Sequence, residues 1–255
     1  MGPEDCSRIL LKIQHDLASH TFYDPKTSAH ERVEVVDQGM AMIKNIINQI
    51  GVNVETVRLL KTVNQRAMGL LSESPTLYSF VKRFKKNCSD EFLRTTLTSY
   101  VMALMIDQFD WKSDPVKEKG ALASMLCDLV LDQEDFRKYR AAAKAGEVIP
   151  DELRRHPTEV AEKLRVRRGL IPAETLTIIE QHHELPNGKG FPLGITANRF
   201  NHLSCIFILS QQFVECLFLE EFNYQKRLEI LQKLRQIYEC KSFEKSLEAL
   251  TAVVA

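Results

Sequence analysis

The chain has 255 residues, and its 34 Lys plus Arg are balanced by 34 Asp plus Glu. This length allows one large domain or two small ones. The zero net charge argues against a dedicated nucleic-acid binder or a binder of anionic membranes, because both depend on a basic surface. We therefore expect no nucleic-acid partner.

The N-terminus and the cysteines indicate a cytoplasmic protein. No apolar run reaches the ~18 residues that a membrane-spanning helix needs. The first ten residues, MGPEDCSRIL, are polar and acidic where a signal peptide is basic and then apolar. The six cysteines have no CxxC spacing and are expected to be reduced thiols. We expect no membrane insertion.

Apolar residues recur at steps of three and four along most of the chain, which predicts an all-α fold. Residues 1–30 are polar and are expected to be partly disordered. Residues 31–88 are predicted to form a helical N-terminal segment and residues 89–255 a helical domain. The predicted helices are Val33–Ile50, Val54–Leu71, Pro75–Lys86, Ser89–Phe109, Pro115–Leu131, Thr158–Arg168, Pro172–His183, Arg199–Leu219, Tyr224–Tyr238 and Phe243–Val253.

Two stretches receive no helix in this prediction. Residues 132–150 are polar and contain the helix breakers Gly146 and Pro150. Residues 184–195 contain three Gly and two Pro, so they are predicted to form a loop.

Three of the seven histidines, His156, His182 and His183, lie near this predicted loop. Adjacent residues on a helix point about 100° apart, so His182 and His183 suit two neighbouring metals better than one shared ion. One of them can instead bind a metal while the other supports it from outside the ligand set. The alternative is a pair without any ligand role, one at a helix end and one in solvent.

The sequence around this pair resembles the signature of the HD-GYP family. That signature reads HHE, then a short polar stretch, then Gly-x-Gly-Tyr-Pro. Here the matching residues are His182-His183-Glu184 and Gly188-Lys189-Gly190-Phe191-Pro192, with Phe191 in place of the Tyr. His156-Pro157 resembles the family's His-Pro motif, and Cys127-Asp128 matches its His-Asp pair. The order and spacing agree over residues 90–225, roughly half of the chain.

The resemblance implies a helical bundle of the HD-domain type and a metal-dependent phosphodiesterase that cleaves cyclic di-GMP. In such sites iron or manganese activates a water and neutralises phosphate oxygens. Asp128, His156, His182 and His183 would be the metal ligands, and Asp128 and Glu184 the catalytic carboxylates of an active enzyme. The same four ligands would also suit zinc, and a site without metal stays open. Cys127 is either an additional thiolate ligand or a small buried side chain.

Several positions depart from the family pattern, and each departure removes a metal ligand or a positive charge that would contact phosphate. The His of the His-Asp pair is Cys127, and the Lys three residues after the Asp is Leu131. The early His falls in Arg94–Thr96, and the late Asp falls near Gln211. The segment that normally binds phosphates is acidic here, at Leu219–Tyr224. Together these losses remove electrostatic stabilisation of a doubly anionic substrate.

Three functions remain open on this reading. The leading one is a bacterial signalling protein whose degenerate HD-GYP domain binds a protein or a cyclic dinucleotide, with phosphodiesterase activity absent or weak. The second is an active metal-dependent cyclic di-GMP phosphodiesterase with altered ligands. The third is an interaction module without a ligand. A homodimer is compatible with all three.

A separate hypothesis concerns the glycine-rich loop as a contact surface for a partner. The resemblance implies that Gly188, Lys189, Gly190, Phe191 and Pro192 contact other signalling domains. Phe191-Pro192 is predicted to lie at the tip of the loop. An exposed Phe191 ring would support this role, and a buried ring would contradict it.

Overall fold

The computed structural model describes residues 3–18, 26–74, 76–145, 147–166 and 169–254. These ranges are helical and contain no β-strand; one isolated bridge joins Asn187 and Thr196. The α-helices are α1 Pro3–Ala18, α2 Ala29–Ile50, α3 Val54–Ser72, α4 Leu77–Phe84, α5 Asp90–Ile106, α6 Asp114–Leu126, α7 Gln133–Ala145, α8 Asp151–Arg154, α9 His156–Arg165, α10 Ala173–Gln181, α11 His202–Leu219, α12 Arg227–Tyr238 and α13 Glu244–Val254. The predicted all-α class is confirmed.

Local signals in the sequence define most helix ends. Ser28 and Asn53 begin α2 and α3 with capping boxes, which satisfy backbone N–H groups that have no partner inside the helix. Gly51 ends α2 with φ 81°, a left-handed conformation that glycine adopts without steric cost. Ser89 caps α5 by accepting a hydrogen bond from the backbone N–H of Phe92.

Helices α5 and α11 lie at the centre of the protein and pack against each other. The buried apolar side chains before and after residue 88 form one continuous cluster. Contrary to the expectation that no apolar run reaches the length of a membrane span, the 18 residues of α11 are long and apolar enough to cross a membrane, but 56% of that span is buried inside the protein. This burial is typical of a core helix in a water-soluble protein.

The N-terminus differs from the prediction. Residues 3–18 form helix α1, where no helix was predicted; residues 19–25 lie outside the described ranges, so partial disorder within residues 1–30 stays a prediction. Leu10, Ile13 and Leu17 recur at steps of three and four and are buried, and α1 packs on α2 and α3. This short apolar stripe was obscured by the polar residues around it.

A second difference is α7, which covers residues that were predicted to be non-helical. Asp132 caps it by accepting hydrogen bonds from the backbone N–H groups of Glu134 and Asp135 at 2.8 and 2.9 Å. The Asp135 carboxylate in turn accepts from the Asp132 N–H, which completes a capping box. The helix is mostly polar, so hydrophobic periodicity did not reveal it, although the cap was visible in the sequence.

Candidate metal centre

Three separate elements bring four predicted ligands to one place. Asp128 lies in the turn that follows α6, and His156 is the first residue of α9. His182 and His183 follow the last turn of α10. One potential ligand atom from each of the four residues lies within 4.8 Å of the others. His156 and His182 are almost completely buried, whereas the Asp128 side chain is 21% exposed.

The hydrogen bonds of the two buried imidazoles fix which ring nitrogen carries the proton. Nδ1 of His156 faces the carbonyl oxygen of Leu153, and Nδ1 of His182 faces that of Ile179 at 2.7 Å. A carbonyl oxygen only accepts, so both Nδ1 atoms must donate. In a neutral ring, Nε2 then carries the free lone pair.

Three lone pairs converge on one point: those of the two Nε2 atoms and one of the Asp128 carboxylate. The two Nε2 atoms are 3.1 Å apart, and Asp128 Oδ1 lies 3.2 Å from that of His156 and 3.6 Å from that of His182. Acceptors at these distances repel one another unless a cation lies between them. The donor set of imidazole nitrogens and one carboxylate oxygen therefore fits a divalent metal.

The electrostatics of the cluster favour the protonation states that bind metal. Burial lowers the pKa of His182, against the opposing effect of Asp128. Burial and the two other imidazoles hold the pKa of His183 well below its usual value. Burial raises the pKa of Asp128, but His156 and His182 outweigh it and hold that pKa well below the usual range. Neutral imidazoles and an ionised carboxylate are the forms that coordinate a metal.

His183 is held by two aromatic residues on opposite segments of the chain. Its Nδ1 lies 3.2 Å from the hydroxyl oxygen of Tyr139 in α7. Its ring stacks on Phe191 with 4.6 Å between the ring centroids. Hydrogen bonds and packing of this kind fix the orientation of a metal ligand. Phe191 thus takes part in the site as an apolar support for His183.

This position of Phe191 contradicts the predicted loop tip. The Phe191 ring is only 8% exposed, because it packs between His183 and the guanidinium of Arg154, 5.5 Å from the ring centroid. The proposed partner contact through Phe191 is therefore wrong. Gly190 is buried as well, whereas Lys189 is exposed. Leu193, just beyond the predicted segment, is 58% exposed.

Glu184 directly follows His183, but its carboxylate points into the glycine-rich loop. It is 1% exposed, and its carboxylate accepts three backbone hydrogen bonds from the loop: Leu193 at 2.6 Å, Gly194 at 3.0 Å and Ile195 at 3.1 Å. Burial raises its pKa against the effect of these bonds. The carboxylate holds the loop closed and is not part of the His/Asp cluster. The expectation of a catalytic carboxylate at this position is not supported by its contacts.

We expect Glu184→Gln to destabilise the fold by about 1–3 kcal/mol, because the amide leaves a buried backbone donor without an acceptor. Urea unfolding of the variant and the wild type measures this difference. Glu162→Gln, at an exposed position of α9, is the matched control and should stay within ~0.5 kcal/mol of the wild type. Equal destabilisation by both changes would contradict the structural role of Glu184.

Cys127 is buried, and its thiol lies 3.5 Å from Asp128 Oδ2, on the other side of the carboxylate from the histidines. Burial, together with the neighbouring Asp128, raises the thiol pKa well above its usual value. A thiol in this state is a weak hydrogen-bond donor and a poor ligand. The contacts favour the alternative in which Cys127 is a small buried side chain.

A cavity of about 330 Å³ adjoins the cluster and opens onto it at Asp128. Its wall contains Lys44 and Arg94, which form ion pairs with Glu91 and Glu215 respectively. The other lining residues are Ser89, Asp90, Thr95, Thr98, Ser124, Cys127, Phe136, Arg137, Phe207 and Gln211. Three of the positions at which the sequence departs from the family pattern, Arg94, Cys127 and Gln211, thus line this cavity.

Sequence reasoning missed two contributors to this site. Tyr139 was overlooked because its helix was not predicted, although Phe136 and Tyr139 lie three residues apart and share a helix face. Lys44 was overlooked because a single lysine in an amphipathic helix is usually exposed. Here it is only 7% exposed. No signal in the sequence indicates that it reaches a residue 47 positions away.

Comparison with known proteins gives one informative match. No family model matches the chain, and no curated protein matches it. Among solved structures, the chain is similar to Bd1817, an HDG"Y"P protein from Bdellovibrio bacteriovorus, with a TM-score of 0.62 and 15% identity. The match covers 99% of this chain and 81% of Bd1817. The chain has the helical fold of an HD-GYP protein, in a divergent form.

Proposed function

We propose that this chain is a degenerate HD-GYP protein that holds one metal ion and acts in bacterial signalling by binding, with phosphodiesterase activity absent or weak. The observation that carries the proposal is the convergence of Asp128, His156 and His182 on one point, beside a cavity whose walls have lost further ligands. We place the protein in the cytoplasm.

The metal would be held by Asp128 and the three histidines, because the adjacent His182 and His183, expected to suit two metals, each bring a ligand atom within 4.8 Å of the other ligand atoms. When bound, it supplies Lewis acidity and lowers the pKa of a coordinated water. Iron, manganese and zinc all accept imidazole and carboxylate ligands. The protein contributes the orientation of the rings: backbone carbonyls fix His156 and His182, and Tyr139 and Phe191 fix His183.

The residues that line the cavity support the proposal that the protein binds one metal and not two. Cys127 and Gln211 correspond by resemblance to two family ligands, and Arg94 and Thr95 cover the position of a third. All four line the cavity next to Asp128. None of these replacements is anionic, so they supply no negative charge to offset a second divalent ion. Of the other carboxylates in the wall, Glu91 and Glu215 already pair with Lys44 and Arg94, which favours a single metal at Asp128.

Two of the three cations that line the cavity are already paired, which disfavours cleavage of a phosphodiester substrate; the third cation is Arg137. Arg94 and Lys44 are paired with Glu215 and Glu91, so their charges are already compensated. Near α11, Glu220 pairs with Lys226 within an acidic segment. Stabilising the transition state of phosphodiester cleavage needs cations aimed at the phosphate oxygens. Binding without efficient cleavage fits this charge pattern better.

The second candidate is an active cyclic di-GMP phosphodiesterase, which the intact His/Asp cluster favours. A hydrolysis assay with purified protein loaded with Fe²⁺ or Mn²⁺ separates the two functions. We expect no hydrolysis of cyclic di-GMP above the rate with the metal alone. We expect instead saturable binding of cyclic di-GMP, or of a protein partner at a surface of this chain that includes the exposed Lys189 and Leu193. Metal-dependent turnover that is lost in His156→Ala would establish the enzyme instead.

Restoring two of the lost family ligands tests directly whether their loss limits the protein to one metal ion. We expect the double variant Cys127→His/Gln211→Asp to bind about two metal ions per chain where the wild type binds about one, because it restores an imidazole and a carboxylate beside Asp128. Elemental analysis after metal loading measures this. Cys127→His/Gln212→Asp, which moves the carboxylate one position along α11, is the control and should stay near one ion. An unchanged count in the first variant would contradict the assignment of these positions.

A further inference from the structure

A row of polar side chains runs along one face of α2. Asp37, Lys44 and Asn48 are spaced by seven and four residues, so they lie on the same side of the helix. All three form contacts beyond residue 88: Asp37 and Lys44 with the start of α5, and Asn48 with the turn after α6. The apolar side of α2 packs instead against α1 and α3. We call Asp37, Lys44 and Asn48 the polar stripe.

The first two members reach the wall of the cavity. Asp37 accepts two hydrogen bonds of 2.7 Å from Ser89, one from its N–H and one from its hydroxyl. Ser89 is the N-cap of α5, the helix that carries Arg94. Lys44 is buried and pairs with Glu91 in the first turn of the same helix. The stripe therefore fixes the start of α5 relative to α2.

The third member touches two of the three elements that supply the candidate metal centre. The Asn48 side-chain Nδ2 donates to the carbonyl oxygen of Leu129 at 2.8 Å, one residue after Asp128. The Asn48 backbone carbonyl accepts from Nζ of Lys163 at 3.0 Å. Lys163 lies on α9, which begins at His156. One residue thus ties the Asp128 turn to the His156 helix.

From these contacts we propose that Asn48 is a positioning residue for the metal centre, through which the N-terminal segment sets the separation of Asp128 and His156. The inference rests on the proposed function, because it assumes that these residues bind a metal. Groups outside the ligand set that orient the ligands typically change metal affinity by 10–100-fold. The tie itself consists of two hydrogen bonds, and it adds to the apolar cluster that also joins the N-terminal helices to the rest of the protein.

Asn48→Asp tests the inference, because it keeps the shape and replaces the donor with an acceptor that faces the Leu129 carbonyl. We expect its affinity for Mn²⁺ or Zn²⁺, measured by competition with a chromophoric chelator, to fall by roughly tenfold. Asn45→Asp makes the same chemical change at an exposed position of α2 and should leave the affinity unchanged. Lys163→Met removes the other contact and should lower the affinity in the same direction. Equal affinity of Asn48→Asp and the wild type would overturn the inference.

Hydrogen–deuterium exchange of the metal-free proteins separates this inference from the proposed function. We expect faster exchange in Asn48→Asp for residues 127–131 and 156–165, and unchanged exchange for α10, which carries no contact of Asn48. Faster exchange together with an absence of metal in the wild type would overturn the proposed function while keeping the tie. Unchanged exchange in both segments would overturn the tie, whatever the metal content.

Discussion

Replacing His156 by alanine should abolish metal binding. The substitution removes one of the three acceptors that converge between α6, α9 and α10 and leaves His182 and Asp128 without their shared partner. Metal content, measured by elemental analysis after gel filtration, should fall from about one ion per chain to below about a tenth.

His15→Ala is the matched control, because His15 is exposed on α1, with 79% of its side chain accessible. Its metal content should equal that of the wild type. Retention of the ion in His156→Ala at the wild-type level would place the metal elsewhere on the protein. Circular dichroism of the variant distinguishes loss of the ligand from loss of the fold.

Gly190→Ala should be among the most destabilising single changes in the chain. A Cβ at this position would lie 2.2 Å from the Leu185 backbone N and 2.5 Å from the Glu184 Cα. Backbone atoms cannot move aside as a flexible side chain does. We expect a loss of about 3 kcal/mol in the free energy of unfolding, the upper end for overpacking. Because Phe191 follows directly and supports His183, metal affinity should fall as well.

The control for this change is Gly69→Ala, in the exposed part of α3, where an added Cβ meets nothing within 4 Å. Alanine favours a helix over glycine by about 1 kcal/mol, so this variant should be more stable than the wild type. Thermal unfolding of both variants measures the contrast. A Gly190→Ala protein as stable as Gly69→Ala would show that the loop is not packed against Glu184 as described.

The helical class and most helix positions were predictable because the signals are local. Ser28, Asn53 and Ser89 are strong caps, and the apolar steps of α2, α3 and α11 are regular. The convergence of His156 with His182 was predictable only through the resemblance to HD-GYP proteins. Nothing in the spacing of residues 26 positions apart fixes their distance in space.

The failed expectations share one cause, which is tertiary contact between distant residues. Phe191 looked like an exposed tip because glycine and proline surround it, but His183 and Arg154 cover its ring. Glu184 looked like a catalytic carboxylate because it follows two histidines, but the loop backbone takes up its oxygens. Side-chain direction at a loop depends on how the loop folds back, and the local sequence carries little of that information.

The boundary near residue 88 shows a further limit of sequence reasoning. A domain boundary was predicted there from the helix pattern, and it stays a prediction. The apolar cluster continues across it, and the polar stripe joins α2 to α5 and to the Asp128 turn. The N-terminal helices are thus connected to the site by both apolar and polar contacts.

The central claim is that Asp128, His156, His182 and His183 hold a single metal ion. X-ray absorption spectroscopy of the protein as purified tests it most directly. The account predicts one first-row metal coordinated by imidazole nitrogens and carboxylate oxygen, with metal–nitrogen distances of about 2.0–2.1 Å if the metal is zinc. A second metal about 3.5–4 Å away, as in two-metal hydrolases, would contradict the account, and so would a protein that binds no metal after loading.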